Sequence, residues 1–363
     1  MYPEKKTVAY YITPHGFGHA VRSCEILRRL IELRPDVRPI IISDIPESLL
    51  EQNLGDGGYV FRRLRLDIGL FQRDSIRFDL EKTLEELEKL YLHSSQIIEG
   101  EIAFLKDNRV GAVVSDISFL PFPAAHALGI PAVGISNFTW DWIYTAYAER
   151  DPRWKGIISW IRNCYATASL FLQLPMHGDC SAFPRIESVP LVARKAARCR
   201  EEVLSILGLG KKERVFLISF TNLDLEKAAY DRLEGIRDVT FLYKSPLKLP
   251  LSRARSIDGL EISYVDAVAA SDAVITKPGY GIVSDCLASA TPVIYTDRGL
   301  FPEYPILVET LREQLTSIYL DSDRFLAGEW EPAIREISSL PGKTPVIRSD
   351  GAEACVIKLS QFI

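Results

Sequence analysis

Apolar and polar positions along this chain fall into two long blocks, each alternating β-rich runs with stretches of three-or-four-residue apolar spacing. In the first block, residues 7–13, 38–43, 59–66, 110–115 and 132–136 predict strands. Residues 19–33 predict a helix, with Ile26, Leu27, Leu30 and Ile31 on one face. A longer helix is predicted over 80–105, where Leu80, Leu84, Leu87, Tyr91, Ile98, Ile102 and Leu105 form a stripe, and a short one near 124–128. The second block predicts a helix over 200–207, ended by Gly208 and Gly210, and strands at 215–220, 240–243, 261–264, 273–275 and 292–295. Between the blocks, 176–190 is irregular and rich in Pro, Gly and Ser.

Continuous apolar strands separated by helices imply parallel sheets covered on both faces. The expected fold class is α/β, with two Rossmann-like, doubly wound parallel-sheet domains. The expected division is an N-terminal domain over 1–178, a linker over 179–190, a C-terminal domain over 191–345, and a final helix over 346–363 placed to pack back on the first domain. Two such domains facing each other make a cleft at the carboxyl ends of both sheets, where ligands bind.

Composition narrows the picture. With 363 residues, 47% apolar and 25% charged, the chain is an ordinary globular protein of two domains' length. A net charge of -5 and the lack of a dense Lys/Arg stripe argue against a nucleic-acid partner. No apolar run reaches spanning length and no signal-like segment opens the chain, so a cytoplasmic protein is expected. Six scattered cysteines offer neither a C-x-x-C nor a zinc spacing and are expected to be free thiols.

The candidate chemistry gathers at two glycine turns. After the first strand comes Thr13-Pro14-His15-Gly16-Phe17-Gly18-His19-Ala20-Val21-Arg22. A strand that breaks into a helix there exposes backbone amides and a helix N-terminus, a good seat for an anion or polar ligand. His19 would sit in the first helical turn, where partial positive charge favours the uncharged imidazole needed of a base. Arg22 could hold an acidic group of a ligand or pair with Glu25. A structural turn with two polar histidines would give the same spacing.

The second turn is Thr276-Lys277-Pro278-Gly279-Tyr280-Gly281-Ile282, leading to Asp285. Gly279 and Gly281 let backbone approach phosphate oxygens, Lys277 could neutralise them, and Asp285 is placed for a ribose diol. Neither turn has the third glycine of a dinucleotide fingerprint, and neither is a P-loop. Beyond the next strand, Asp297, Arg298 and Glu303 suit a polyhydroxylated ligand. Asp321-Ser322-Asp323 imitates a metal motif but reads as a helix start. Phe119, Phe122, Trp140, Trp142, Trp154 and Trp160, mixed with Arg153, Lys155 and Arg162, fit a domain core, an interface or a membrane surface, with core packing favoured.

Together these residues resemble the GT-B glycosyltransferases, especially the branch of the lipid-II-forming N-acetylglucosaminyltransferase. They look still more like the glycosyltransferase-like N-terminal region of plant-type L-arabinokinases. The likeness rests on residues 10–13 with 15–22, on Ser136-Asn137-Phe138-Thr139-Trp140-Asp141-Trp142-Ile143-Tyr144, and on 277–285. The sugar-kinase domain that follows this region in arabinokinases has no counterpart in these 363 residues.

The resemblance implies His19 as general base and Gly279, Tyr280 and Gly281 as diphosphate contacts. It places Asp285 at the nucleotide ribose, Glu303 and Arg298 at the donor sugar, and the backbone of 265–267 at the base. The residues themselves offer His15, Gly16, Gly18, Arg22, Asp116, Asn137, Trp140 and Asp141 as acceptor-side candidates, with Asp141 a candidate to orient His19. Where relatives have a glycine-rich loop, this chain has Ser219-Phe220-Thr221-Asn222-Leu223, so Ser219 and Thr221 would have to replace it. The implied activity is inverting transfer from a UDP-sugar to an unidentified acceptor, with no cofactor and no metal. A UDP-sugar hydrolase and a non-catalytic nucleotide-sugar-binding module are the alternatives.

Overall fold

Strand Lys6–Ile12 is buried at every residue but its first, and it is an inner strand of a parallel sheet. In the computed structural model, residues 5–55, 57–71 and 78–363 are described. Their contacts define two units: Met1–Ala193 with Phe301–Ile306 and Arg348–Ile363, and Arg194–Leu300 with Leu307–Ile347.

In chain order the first unit holds β1 (Lys6–Ile12), α1 (Phe17–Leu33), β2 (Val37–Ser43), α2 (Glu47–Leu54), β3 (Val60–Arg63), α3 (Leu80–Asp107), β4 (Val110–Asp116), α4 (Pro121–Ala127), β5 (Ala132–Ser136), α5 (Trp140–Thr145), α6 (Arg153–Tyr165), β6 (Leu170–Gln173) and β7 (Ile186–Ser188). All the strands pair in parallel, in the order β3-β2-β1-β4-β5-β6-β7. The sheet winds outward in both directions from β1 and β4, so its topological switch point lies between them. β7, an outer strand with little apolar content, lies within the stretch expected to be irregular. Phe119, Phe122, Trp140 and Trp154 are buried in this unit's core, and Trp142 and Trp160 pack partly against it.

The second unit holds α7 (Arg200–Ile206), β8 (Arg214–Ser219), α8 (Lys227–Glu234), β9 (Val239–Tyr243), β10 (Ala254–Ser256), α9 (Tyr264–Ala270), β11 (Ala273–Thr276), α10 (Tyr280–Ser289), β12 (Val293–Tyr295), α11 (Tyr304–Gln314) from Leu307 onward, β13 (Ser317–Tyr319), α12 (Ser322–Leu326) and α13 (Glu331–Ile337). Helix α14 (Gly351–Leu359) is part of the first unit, where it packs against α1. The second sheet is again all parallel, ordered β10-β9-β8-β11-β12-β13, with its switch point between β8 and β11. Its core centres on Trp330, fully buried, stacked on Phe325 and donating its indole N–H to the Phe325 carbonyl at 2.8 Å.

One expected strand is a helix start instead. Residues 261–264 lead into α9, because Ser263 caps it and Asp266 closes a reciprocal capping box. Two orphan amides satisfied at once outweigh the β-propensity of a short apolar run. The Asp321 carboxylate likewise caps α12 by accepting from the Arg324 amide, as its spacing predicts.

Candidate functional site

The turn after β1 delivers its residues to the switch point of the first sheet. Gly16 caps α1 with φ 84°, a left-handed conformation that glycine adopts without steric cost. Helix α1 therefore starts at Phe17, and His19 occupies its first turn. The His19 ring is nearly buried, and its Nδ1 lies 2.8 Å from Oδ1 of Asp116 at the end of β4. Nη2 of Arg22 lies 2.6 Å from the same oxygen, 2.7 Å from Ser136 Oγ and 2.8 Å from His19 Nδ1.

A hydrogen count assigns the tautomer. Nη2 carries two hydrogens, which Asp116 and Ser136 accept; His19 Nδ1 then carries its own proton and donates it to Asp116. In an uncharged ring the lone pair would then stand on Nε2. Burial pushes the Asp116 carboxyl up, but the charge of Arg22 and the hydrogen bonds donated by Arg22 and His19 outweigh it and hold the group well below the usual carboxylate range. Arg22 is thus paired with Asp116 rather than with Glu25, which is taken by Arg28. Being buried, the guanidinium needs several acceptors at once, and Asp116, Ser136 and Asn137 supply them.

The network runs further. Arg22 Nη1 donates to Asn137 Oδ1 at 2.7 Å, and Asn137 Nδ2 donates to Glu303 Oε1 at 2.7 Å. Glu303, expected beside the donor sugar, is therefore bonded within the first unit, as part of its Phe301–Ile306 segment. Asp141 does not reach His19; it accepts from Arg162 at 2.8 Å, and burial raises its carboxyl.

His15 lies in an aromatic group with Trp140 (5.1 Å between centroids, edge-on) and Phe301 (6.4 Å, stacked). The ring's Nδ1 accepts from the Leu70 amide at 3.4 Å. Gly69, at φ 68°, lets the 64–71 segment pass this close: a Cβ there would stand 2.5 Å from His15 Nδ1. The same segment carries Asp67, which no motif signals. Its carboxylate is buried and accepts from Thr13 Oγ1 at 2.9 Å and Ser118 Oγ at 2.6 Å. With hydroxyl donors alone, burial raises its pKa.

In the second unit the turn after β11 also lies at a switch point. Gly279 caps α10, and Tyr280 and Gly281 form its first turn. Arg298 lies over this turn, donating Nη1 to the Pro278 carbonyl at 2.9 Å. Burial, reinforced by the Arg298 charge, lowers the pKa of half-buried Lys277. Two cations and a helix N-terminus thus converge where an anion would be stabilised. Ser219, at the end of neighbouring β8, accepts from the Tyr264 hydroxyl at 2.6 Å, while Thr221 is exposed. Asp285 is clasped by Arg194, whose Nη2 donates to Oδ2 and Nε to Oδ1. The segment 265–267 is the buried first part of α9, and Asp266 accepts from the amides of Ala197 and Arg198. Among the described residues, no group of three or more His, Cys, Asp or Glu is arranged to hold a metal ion.

Two doubly wound parallel sheets with a charged turn at each switch point are the architecture of the GT-B glycosyltransferases, and this chain has that fold. It superposes on CalG4, the calicheamicin glycosyltransferase, with a TM-score of 0.65 at 14% identity, covering 99% of this chain and 98% of that one. A UDP-glucosyltransferase from Polygonum tinctorium gives 0.61 at 14%, covering 100% and 94%. In sequence the chain is 29% identical over 340 residues to L-arabinokinase of Arabidopsis thaliana, matching 92% of this chain but 32% of that protein's length. It is 24% identical over 301 residues to an uncharacterized glycosyltransferase, MK0977, of Methanopyrus kandleri, covering 77% of this chain and 83% of that one. No family model matches. No helix among the described residues is long and apolar enough to cross a membrane.

Proposed function

We propose that the chain is a glycosyltransferase that moves a sugar from a nucleotide diphosphate donor, a UDP-sugar, to a hydroxyl acceptor with inversion. The observation that carries this reading is the His19–Asp116 pair. A buried carboxylate holds one ring nitrogen protonated, so that the other can accept the acceptor's proton. In the step itself, the acceptor oxygen forms a bond to the anomeric carbon as the bond from that carbon to the diphosphate oxygen breaks. The electron pair leaves with UDP, and the hydroxyl proton passes to His19 Nε2.

Negative charge grows on the diphosphate as that bond opens. The turn at Gly279, the start of α10, Lys277 and Arg298 supply fixed positive charge to meet it, the role a metal plays elsewhere. The known relatives support the donor class: the UDP-glucosyltransferase named above shares the fold, and MK0977 bears the transferase name. Asp285, gripping the ribose, would exchange Arg194 for the diol.

The match to L-arabinokinase over 32% of its length favours a second reading, a domain that binds the nucleotide sugar without turnover. UDP release separates the two. Nucleotide sugars that raise the melting temperature are incubated with a panel of hydroxyl acceptors in EDTA. Acceptor-dependent release of UDP supports the transferase. Release from donor alone makes it a hydrolase, and donor binding with no release under any condition leaves the binding module.

A further inference from the structure

Resting on His19 as the base, we propose that Arg22 is a positioning residue that keeps the imidazole uncharged, by neutralising Asp116 and by setting its own charge against the ring. The guanidinium is only 4% exposed. It grips Asp116 side-on, Nε to Oδ2 at 2.7 Å and Nη2 to Oδ1 at 2.6 Å. Ser23 Oγ donates to Oδ2 at 2.9 Å. His19, Arg22 twice and Ser23 thereby fill all four acceptor positions of the carboxylate.

An unmatched carboxylate 2.8 Å from an imidazole would draw a proton onto the ring, and a protonated ring cannot take one from the acceptor. Arg22 cancels that pull. Its Nη2 also stands 2.8 Å from Nδ1, so charging the ring brings two cations into contact. Asp116 can then orient His19 without protonating it. Arg22 suits the task because it does not deprotonate in proteins.

The other titratable groups nearby do not replace it. Asp67, on the segment after β3, is held by the Thr13 and Ser118 hydroxyls, and burial favours its neutral form. Glu303 is joined to Arg22 through Asn137. Tyr10 of β1 and Cys355 of α14 lie behind Asp116 and Arg22; burial pushes the tyrosine well up and the thiol up to about 12.

The test is an NMR titration of the ring in the full chain. With five histidines the imidazole signals are few, and that of His19 is assigned by its loss in His19→Gln. In Arg22→Gln the His19 midpoint should rise by about one pH unit or more. Arg22→Lys, which keeps the charge, should stay near the wild type. Because Arg22→Gln strands a buried carboxylate, Asp116→Asn is compared with the Asp116→Asn/Arg22→Gln double variant, which leaves neither charge uncompensated. The double variant should titrate higher than Asp116→Asn. A midpoint that does not move when Arg22 is removed in either background overturns the proposal, as does an equal rise in Arg22→Lys. The readout needs no turnover, so a failed transferase reading would show separately, as Arg22 variants that shift as expected beside a wild type that releases no UDP.

Discussion

His19 Nδ1 lies 2.8 Å from Asp116 Oδ1, joining the first turn of α1 to the end of β4 across 97 positions of sequence. Asparagine at 116 keeps the shape but can present N–H to Nδ1, which favours the wrong tautomer. Asp116→Asn should therefore lower turnover about 100-fold with little change in donor affinity. Steady-state kinetics beside calorimetric titration with UDP checks this.

Lys277 and Arg298 converge on the start of α10. Lys277→Ala should weaken UDP binding about tenfold, the worth of one charge-assisted hydrogen bond. The lysine's pKa is lowered by burial and by Arg298, so its charge is present at low pH and lost as pH rises through that lowered value. Wild-type affinity should thus begin to fall below the ordinary lysine range, and Lys277→Ala should lose that alkaline dependence.

Asp67 is an acid whose pKa is raised on folding. Between its ordinary and its raised value the folded chain binds more protons than the unfolded one, so this group's contribution to stability falls as pH rises through that window. Asp67→Asn removes the titration, and the hydroxyls of Thr13 and Ser118 can re-pair with an amide. Urea unfolding over about pH 4 to 8 should show a flatter profile in the variant.

Gly69→Ala places a methyl against the His15 ring in a left-handed backbone position. The ring must shift, and on the acceptor-side reading KM for acceptor should rise several-fold while UDP affinity holds. Equal loss of both would count against that role for His15.

Both glycine turns, the strand–helix alternation and the long stripe of α3 were legible because each is a local pattern of a few residues. The short strands β10 and β13 were not, having three residues each and polar or mixed composition. Strand β7 was hidden for the same reason in a turn-rich stretch. The site's chemistry was legible only in part. His19 announces itself beside two glycines, whereas its partner lies 97 positions away and looked no different from Asp141. Arg22 had an acidic neighbour three residues on, a pairing typical of exposed helix faces, and only its burial redirects it to Asp116. Asp67 and Arg194 sit in segments with no motif, and Glu303 follows an aromatic turn whose place in the first unit depends on tertiary contacts.

The most direct test of the central claim is acceptor-dependent UDP release by His19→Ala, measured alongside its donor affinity. Turnover should fall about 100-fold or more with donor binding intact. A folded variant that still releases UDP at the wild-type rate would contradict it.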